Sequence, residues 1–128
     1  MQALIDAALE ARLRAHAPFS KFLVGAAIED TDGRIHTGCN IENATYGLTI
    51  CAERVAIFKA ISMGVRTFLR LAVASEAKRL APPCGACRQI IWEFCGDIDV
   101  VLVNTHGQSE YLKMTDLFPR PFDDSSLD

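Results

Sequence analysis

The order of elements along this chain predicts an α/β sandwich around a mixed sheet. Three observations carry that reading. Residues 22–29 and 34–38 flank Asp32-Gly33, a turn signal that should join two antiparallel strands. Residues 51–63 place Ala52, Val55, Ala56, Ile57, Phe58, Ala60 and Ile61 around most of a helix circumference, so that helix should be buried on nearly every side. Strand, helix and strand then follow one another across 69–103, and such a unit crosses over in parallel.

Each element has its own justification. Residues 2–15 set Ile5, Leu9 and Leu13 four apart with Ala8 beside them and Arg12 and Arg14 off the stripe, an amphipathic helix that Pro18 should end. Gly64 is placed to stop the helix at 51–63. Leu69, Leu71 and Val73 alternate as a strand, while Ala72 and Ala74 imply that both of its faces are covered. Residues 84–95 predict a second core helix with Ile90, Ile91 and Phe94 inward and Gly96 as its stop. Ile98 to Val103 is nearly continuous apolar sequence, a central strand, and 109–114 adds a weak edge strand. Thr115 and Asp116 cap a short turn before Pro119 and Pro121. There is no internal repeat, low-complexity run or linker, and 128 residues suffice for one domain, 1–128.

Composition narrows the function. The net charge is −3 and no Lys/Arg-rich run occurs, which argues against a nucleic-acid partner held by its phosphates and for a small neutral substrate. No apolar run approaches a membrane span, and Asp6 and Glu10 in the first helix are unlike a secretory signal. Five cysteines, an odd count, fit metal binding in a reducing cytoplasm better than a disulfide framework. Half of the residues are apolar, an excess that a homo-oligomer would bury between subunits.

The chemistry concentrates in Cys51-Ala52-Glu53 and Pro83-Cys84-Gly85-Ala86-Cys87. Three thiolates hold zinc and leave its fourth tetrahedral position to water, and a neighbouring carboxylate outside the ligand set can move protons. Cys84 and Cys87, three apart, share one helix face, and helix starts favour the thiolate form. Three thiolates around a divalent cation leave a net charge of about −1, and Arg54 is the candidate compensating cation. A closed structural zinc site is the rival. Cys95 lies roughly 12 Å along the helix from Cys87, too far to share the ion, whereas spacing leaves Cys39, His36 and His106 open as a fourth ligand. Glu53 favours the catalytic alternative, since a carboxylate two residues from a ligand has a ready role as general base.

At this point the chain resembles the small, homotetrameric cytidine deaminases, over essentially its whole length. The resemblance rests on Ser20-Lys21-Phe22 with Val24-Gly25-Ala26-Ala27, on Gly38 through Ala44, on Cys51-Ala52-Glu53-Arg54, and on Pro83 through Gln89. The two cysteine blocks alone mark the broader zinc deaminases of nucleobases; Asn40-Ile41-Glu42-Asn43 points to nucleosides. The resemblance implies a three-layer α-β-α sandwich around a five-stranded mixed sheet. It implies Cys51, Cys84 and Cys87 as ligands of one zinc ion per subunit and Glu53 as the proton shuttle in hydrolytic deamination of cytidine and deoxycytidine. It implies Asn40 and Glu42 as the ribose-binding pair, Phe22 and the main chain of Ala52 at the base, and Phe122 as an aromatic lent to a neighbouring subunit's pocket. Residues two apart on an extended segment point the same way, which suits Asn40 and Glu42 to one sugar. Cys39 and Cys95 read as small buried hydrophobes, and His16, His36 and His106 as loop or surface residues. Phe19 stands where a tyrosine is common and Leu23 where proline is frequent.

Two rivals accompany this reading. A blasticidin-type antibiotic deaminase shares the chemistry, but the Gly38–Ala44 block argues against it. A zinc-stabilised scaffold that binds nucleosides without reacting would need no Glu53. Editing of single-stranded nucleic acid is disfavoured by the acidic balance.

Overall fold

The computed structural model describes residues 1–127. The chain runs α1 (Gln2–Arg12), β1 (Val24–Asp30), β2 (Ile35–Cys39), α2 (Ala52–Ser62), β3 (Phe68–Ser75), α3 (Gly85–Cys95), β4 (Asp99–Asn104), β5 (Ser109–Lys113) and α4 (Met114–Leu117). The five strands lie in the order β2-β1-β3-β4-β5. β3 and β4 are parallel, as the α3 crossover requires, and the other pairings are antiparallel.

The period of two along each strand divides the core. Ala26, Ile28, Leu71, Val73, Val100 and Leu102 face α2 and α3. Ala27, Ala72, Ala74, Val101 and Val103 face α1 on the other side. The result is three layers. Each branched side chain fully buried in them stabilises the fold by roughly 1.5–3 kcal/mol relative to an exposed one.

Two strand glycines set how closely the helices approach. A Cβ at Gly25 would lie 2.1 Å from the Ala8 carbonyl oxygen and 2.4 Å from the Arg12 nitrogen of α1. A Cβ at Gly38 would lie 2.5 Å from the Ala56 nitrogen and 2.6 Å from the Ala52 oxygen of α2. Backbone meets backbone at both places, which only glycine permits.

Several expectations need correction. α1 ends at Arg12, well before Pro18, with the chain turning at Leu13 and Arg14. Its buried face is Leu4, Ala8 and Ala11, while Leu13 is 68% exposed. The alanine-lined sheet face and Gly25 draw the helix so close that Ala8 and Ala11 sit in the contact beside Leu4, while Ile5 and Leu9 of the expected stripe pack only at its margin. Phe94 points outward and meets the exposed Phe58 of α2 edge-on at 6.2 Å, so α2 also has an open side within the subunit. Cys39 and Cys95 are partly rather than fully buried.

His36 is the clearest departure. It is only 7% exposed, because its Nε2 lies 2.9 Å from Asp30 Oδ2. Asp30 Oδ1 also accepts the N–H groups of Asp32 and Arg34 at 2.8 and 3.0 Å. One carboxylate thus stitches the hairpin and satisfies an inward histidine. Its hydrogen bond with His36 chiefly lowers the Asp30 carboxyl's proton affinity, and burial opposes it.

β1 begins at Val24, two residues later than the sequence implied. Lys21 takes a positive φ of 62°, and Phe22 stays in the loop before the strand begins. That leaves its ring free for a cleft.

Candidate active site

Two helix starts converge. Cys51 and Cys84 occupy the position before the first turn of α2 and α3, in extended conformations, and neither side chain caps its helix. Ser, Asp or Asn there would stabilise each helix by about 1 kcal/mol more. A thiol at such a position forgoes that gain and stays free to bind something else. Cys87 follows one turn into α3 and is buried.

The three sulfur atoms lie within 4.8 Å of one another, with Cys51 and Cys84 at 3.9 Å. A tetrahedral zinc with thiolate bonds of about 2.3 Å needs sulfurs about 3.8 Å apart. The donor set and spacing therefore fit zinc. Among the described residues Cys39, His36 and His106 lie outside this cluster, which removes the fourth ligands that spacing had left open. An open vertex suits a catalytic site better than a closed structural one.

The electrostatics are graded. Arg54 Nη2 donates to Cys51 Sγ at 3.3 Å, which sets a positive charge beside the cluster. A hydrogen bond from Cys87, supported by Arg54, holds the Cys51 thiol well below the ordinary range. The Cys87 thiol is raised by that same hydrogen bond, then by burial and the charge of Glu53. Proton and thiolate are thus shared unequally until a metal displaces the proton. Glu53, 4% exposed in the first turn of α2, is pushed up to about 7, chiefly by burial and further by Cys51, against its own backbone N–H and Arg54. A carboxyl poised there can both take and give a proton near neutrality.

Above the cluster opens a cleft of ≈ 280 Å³, at the small end for ligand cavities. Phe22, Asn40, Glu42, Cys51, Ala52, Glu53 and Cys84 all line it. Asn40 is already at work: Oδ1 accepts from Val24 N at 2.9 Å and Nδ2 donates to the Phe22 carbonyl at 2.8 Å. It therefore shapes the Phe22 loop as well as facing the cleft. Glu42 accepts the N–H groups of Phe19 and Ser20 at 2.9 and 3.0 Å and the Ser20 hydroxyl. The Ser20 hydroxyl is the main reason its carboxyl lies below the usual range.

Phe122 does not line the cleft of its own subunit and is 59% exposed. Sequence reasoning assigned no role to Ser20 or Arg88. Ser20 sits within the block that carried the resemblance, two residues before Phe22, a spacing that hinted at it. Arg88 also sits within such a block, Pro83 through Gln89, but its partners are the backbone carbonyls of Pro83 and of Leu117, and no side-chain pattern marks those.

Three clustered cysteines, a buried carboxyl and a small cleft on a three-layer α/β/α sandwich define a zinc-dependent deaminase class. The model of the cytidine and deoxycytidylate deaminase zinc-binding region matches residues 1–104, and the chain belongs to that family. It is 48% identical to a cytidine deaminase of Sporosarcina psychrophila, covering 99% of this chain and 94% of that one. It is also 48% identical to a cytidine deaminase of Halalkalibacterium halodurans, over 94% and 92% of the two chains. The crystal structure of cytidine deaminase from Burkholderia pseudomallei superposes with a TM-score of 0.91 at 46% identity, over 94% of this chain and 98% of that one.

Proposed function

We propose that this protein hydrolyses cytidine and 2'-deoxycytidine to uridine and 2'-deoxyuridine, releasing ammonia. The observation that carries the reading is a buried carboxyl, Glu53, beside a three-cysteine cluster on the wall of a small cleft. Cys51, Cys84 and Cys87 would hold zinc, whose contribution when bound would be to acidify a water and so supply the nucleophile at neutral pH.

The chain's own residues do the rest. Glu53 takes a proton from the attacking water and passes it to ring N3, so that C4 becomes electrophilic. It then carries a second proton to the amino group, which departs as ammonia once C4 is tetrahedral. Atoms balance: one water is added and one ammonia leaves. Burial of Glu53 strengthens each transfer by excluding competing solvent. Phe22 packs against the base, the main chain of Ala52 reads its polar edge, and Asn40 with Glu42 holds the sugar hydroxyls. Arg54 offsets the excess negative charge of the thiolates.

Phe122 is lent to a neighbouring copy in a homotetramer, which its exposure supports. Residues 1–128 act as one catalytic domain, in pyrimidine salvage in the cytoplasm. No helix among the described residues is long and apolar enough to cross a membrane.

Ultraviolet monitoring of cytidine, on protein of measured zinc content, tests the reading. Turnover that chelation abolishes and zinc restores is the expected result. Turnover of blasticidin but not cytidine would replace the substrate. Nucleoside binding without turnover would leave only a scaffold.

A further inference from the structure

The tail that follows α4 reads Phe118-Pro119-Arg120-Pro121-Phe122-Asp123. Its two prolines have no N–H, so neither can donate a hydrogen bond through the backbone. The subunit instead holds the tail, and the last residue of α4 from which it springs, by their oxygens, using side chains on one stretch of α3. Arg88 Nη1 donates to the Leu117 carbonyl at 2.7 Å, Gln89 Nε2 to the Phe122 carbonyl at 2.7 Å, and Trp92 Nε1 to Asp123 Oδ2 at 3.1 Å.

Arg88 does something the other two do not. It follows Cys87 directly, and side chains on a helix lean toward its N-terminus. Its Nε accordingly donates at 2.8 Å to the carbonyl of Pro83, the buried residue immediately before Cys84. One planar guanidinium therefore joins the loop entering the Cys84 ligand position to the base of the tail that carries Phe122. Among the described residues it has no carboxylate partner within salt-bridge distance, so its fork is spent on these two carbonyls. A lysine offers one ammonium point charge and lacks that rigid fork.

We propose that Arg88 is a positioning residue that couples the Cys84–Cys87 ligand loop to the Phe122 tail, so that metal retention and completion of a neighbouring pocket depend on one side chain. The second half rests on the reading of Phe122 given above. Arg88 touches neither the cluster sulfurs nor the cleft; it acts through Pro83 and Leu117.

Zinc-loaded wild type, Arg88→Lys and Gln89→Ala separate its two jobs. Arg88→Lys should release zinc to a chelator about 10–100-fold faster, the usual scale for losing a group that orients ligands. Its cobalt-substituted form should show shifted thiolate absorption bands, and its KM for cytidine should rise. Gln89→Ala frees only the tail: KM should rise with zinc release and cobalt bands unchanged. Unchanged zinc release in Arg88→Lys overturns the loop role, and faster release with unchanged KM overturns the coupling. Hydrogen exchange of the wild type gives a reading that needs no folded variant. The amides of Arg88 and Phe118, bonded to the carbonyls of Cys84 and Met114, should open as one unit with the same free energy. Two separate openings would overturn the proposal. Zinc release and exchange use no substrate, so failure of wild-type cytidine turnover would sink the proposed activity while Arg88 was still judged on its own data.

Discussion

The starts of α2 and α3 supply the same kind of ligand and are held in opposite ways. At α2, Ala52 and Glu53 are buried, and the Ala52 carbonyl presses on Gly38 backbone to backbone. At α3, Cys84, Gly85 and Ala86 are exposed, and only Pro83 and Cys87 are buried. There a polar clamp from Arg88 replaces close packing. Under the proposed mechanism the contrast separates two demands on one site. A proton shuttle needs desolvation, which raises its pKa; a metal ligand needs only fixed geometry and can face solvent.

One substitution on each helix start separates the two demands. Glu53→Gln keeps the side chain's shape and should leave zinc bound while kcat falls by about 10²–10⁴. Cys84→Ala should lose zinc itself, and turnover with it. Zinc content and cytidine turnover measured on both variants check the division. A Glu53→Gln enzyme with full turnover would show that burial at α2 serves packing alone.

The next largest effect tests the backbone contact. Gly38→Ala inserts a Cβ against two backbone atoms of α2, neither of which can rotate away. Such overpacking destabilises by about 1–3 kcal/mol. Because α2 carries Glu53 and follows Cys51, its displacement should also lower kcat/KM, by about 10²-fold if the shift reaches 1 Å. Gly25→Ala is the matched control, since it overpacks α1, which contributes nothing to the cleft. Thermal unfolding should fall in both variants, and kcat/KM markedly only in Gly38→Ala.

Legibility in the sequence follows the same division. The hairpin, both central strands and the two helices bearing the cysteines were readable because hydrophobic period and turn chemistry are local. The ligand set was readable because two short blocks carry it. What escaped was set by distant partners. The face of α1 depends on Gly25 and the alanines of a sheet formed later in the chain. His36 reads from the sequence as a loop or surface residue, yet Asp30, across the hairpin, gives it a buried partner. Arg88 was unreadable because carbonyls, unlike side chains, leave no trace in the amino-acid code. The glycine at position 38 was the missed opportunity: glycine inside a strand signals a close backbone approach, and this one marks where α2 docks.

The two helix starts also differ in how readily their thiols give up a proton. In the metal-free protein Cys51, at the α2 start, is already biased to thiolate by the Cys87 hydrogen bond and by Arg54. Cys87, inside α3, is raised above its ordinary value of 9.0, so near neutrality it holds its proton. Zinc must displace that proton, and raising the pH makes displacement easier. Apparent zinc affinity should therefore rise with pH, by about tenfold per unit for each proton released. Competition against a chromophoric chelator at several pH values reads the slope directly, and calorimetry in buffers of different ionisation enthalpy counts the protons. Arg54→Gln removes the cation beside Cys51 Sγ and should return that thiol toward its ordinary range. The slope should then steepen, because Cys51 adds a proton of its own. A slope unchanged by Arg54→Gln would mean that the helix start and Cys87 suffice to ionise Cys51, leaving the arginine to work only after the metal has bound.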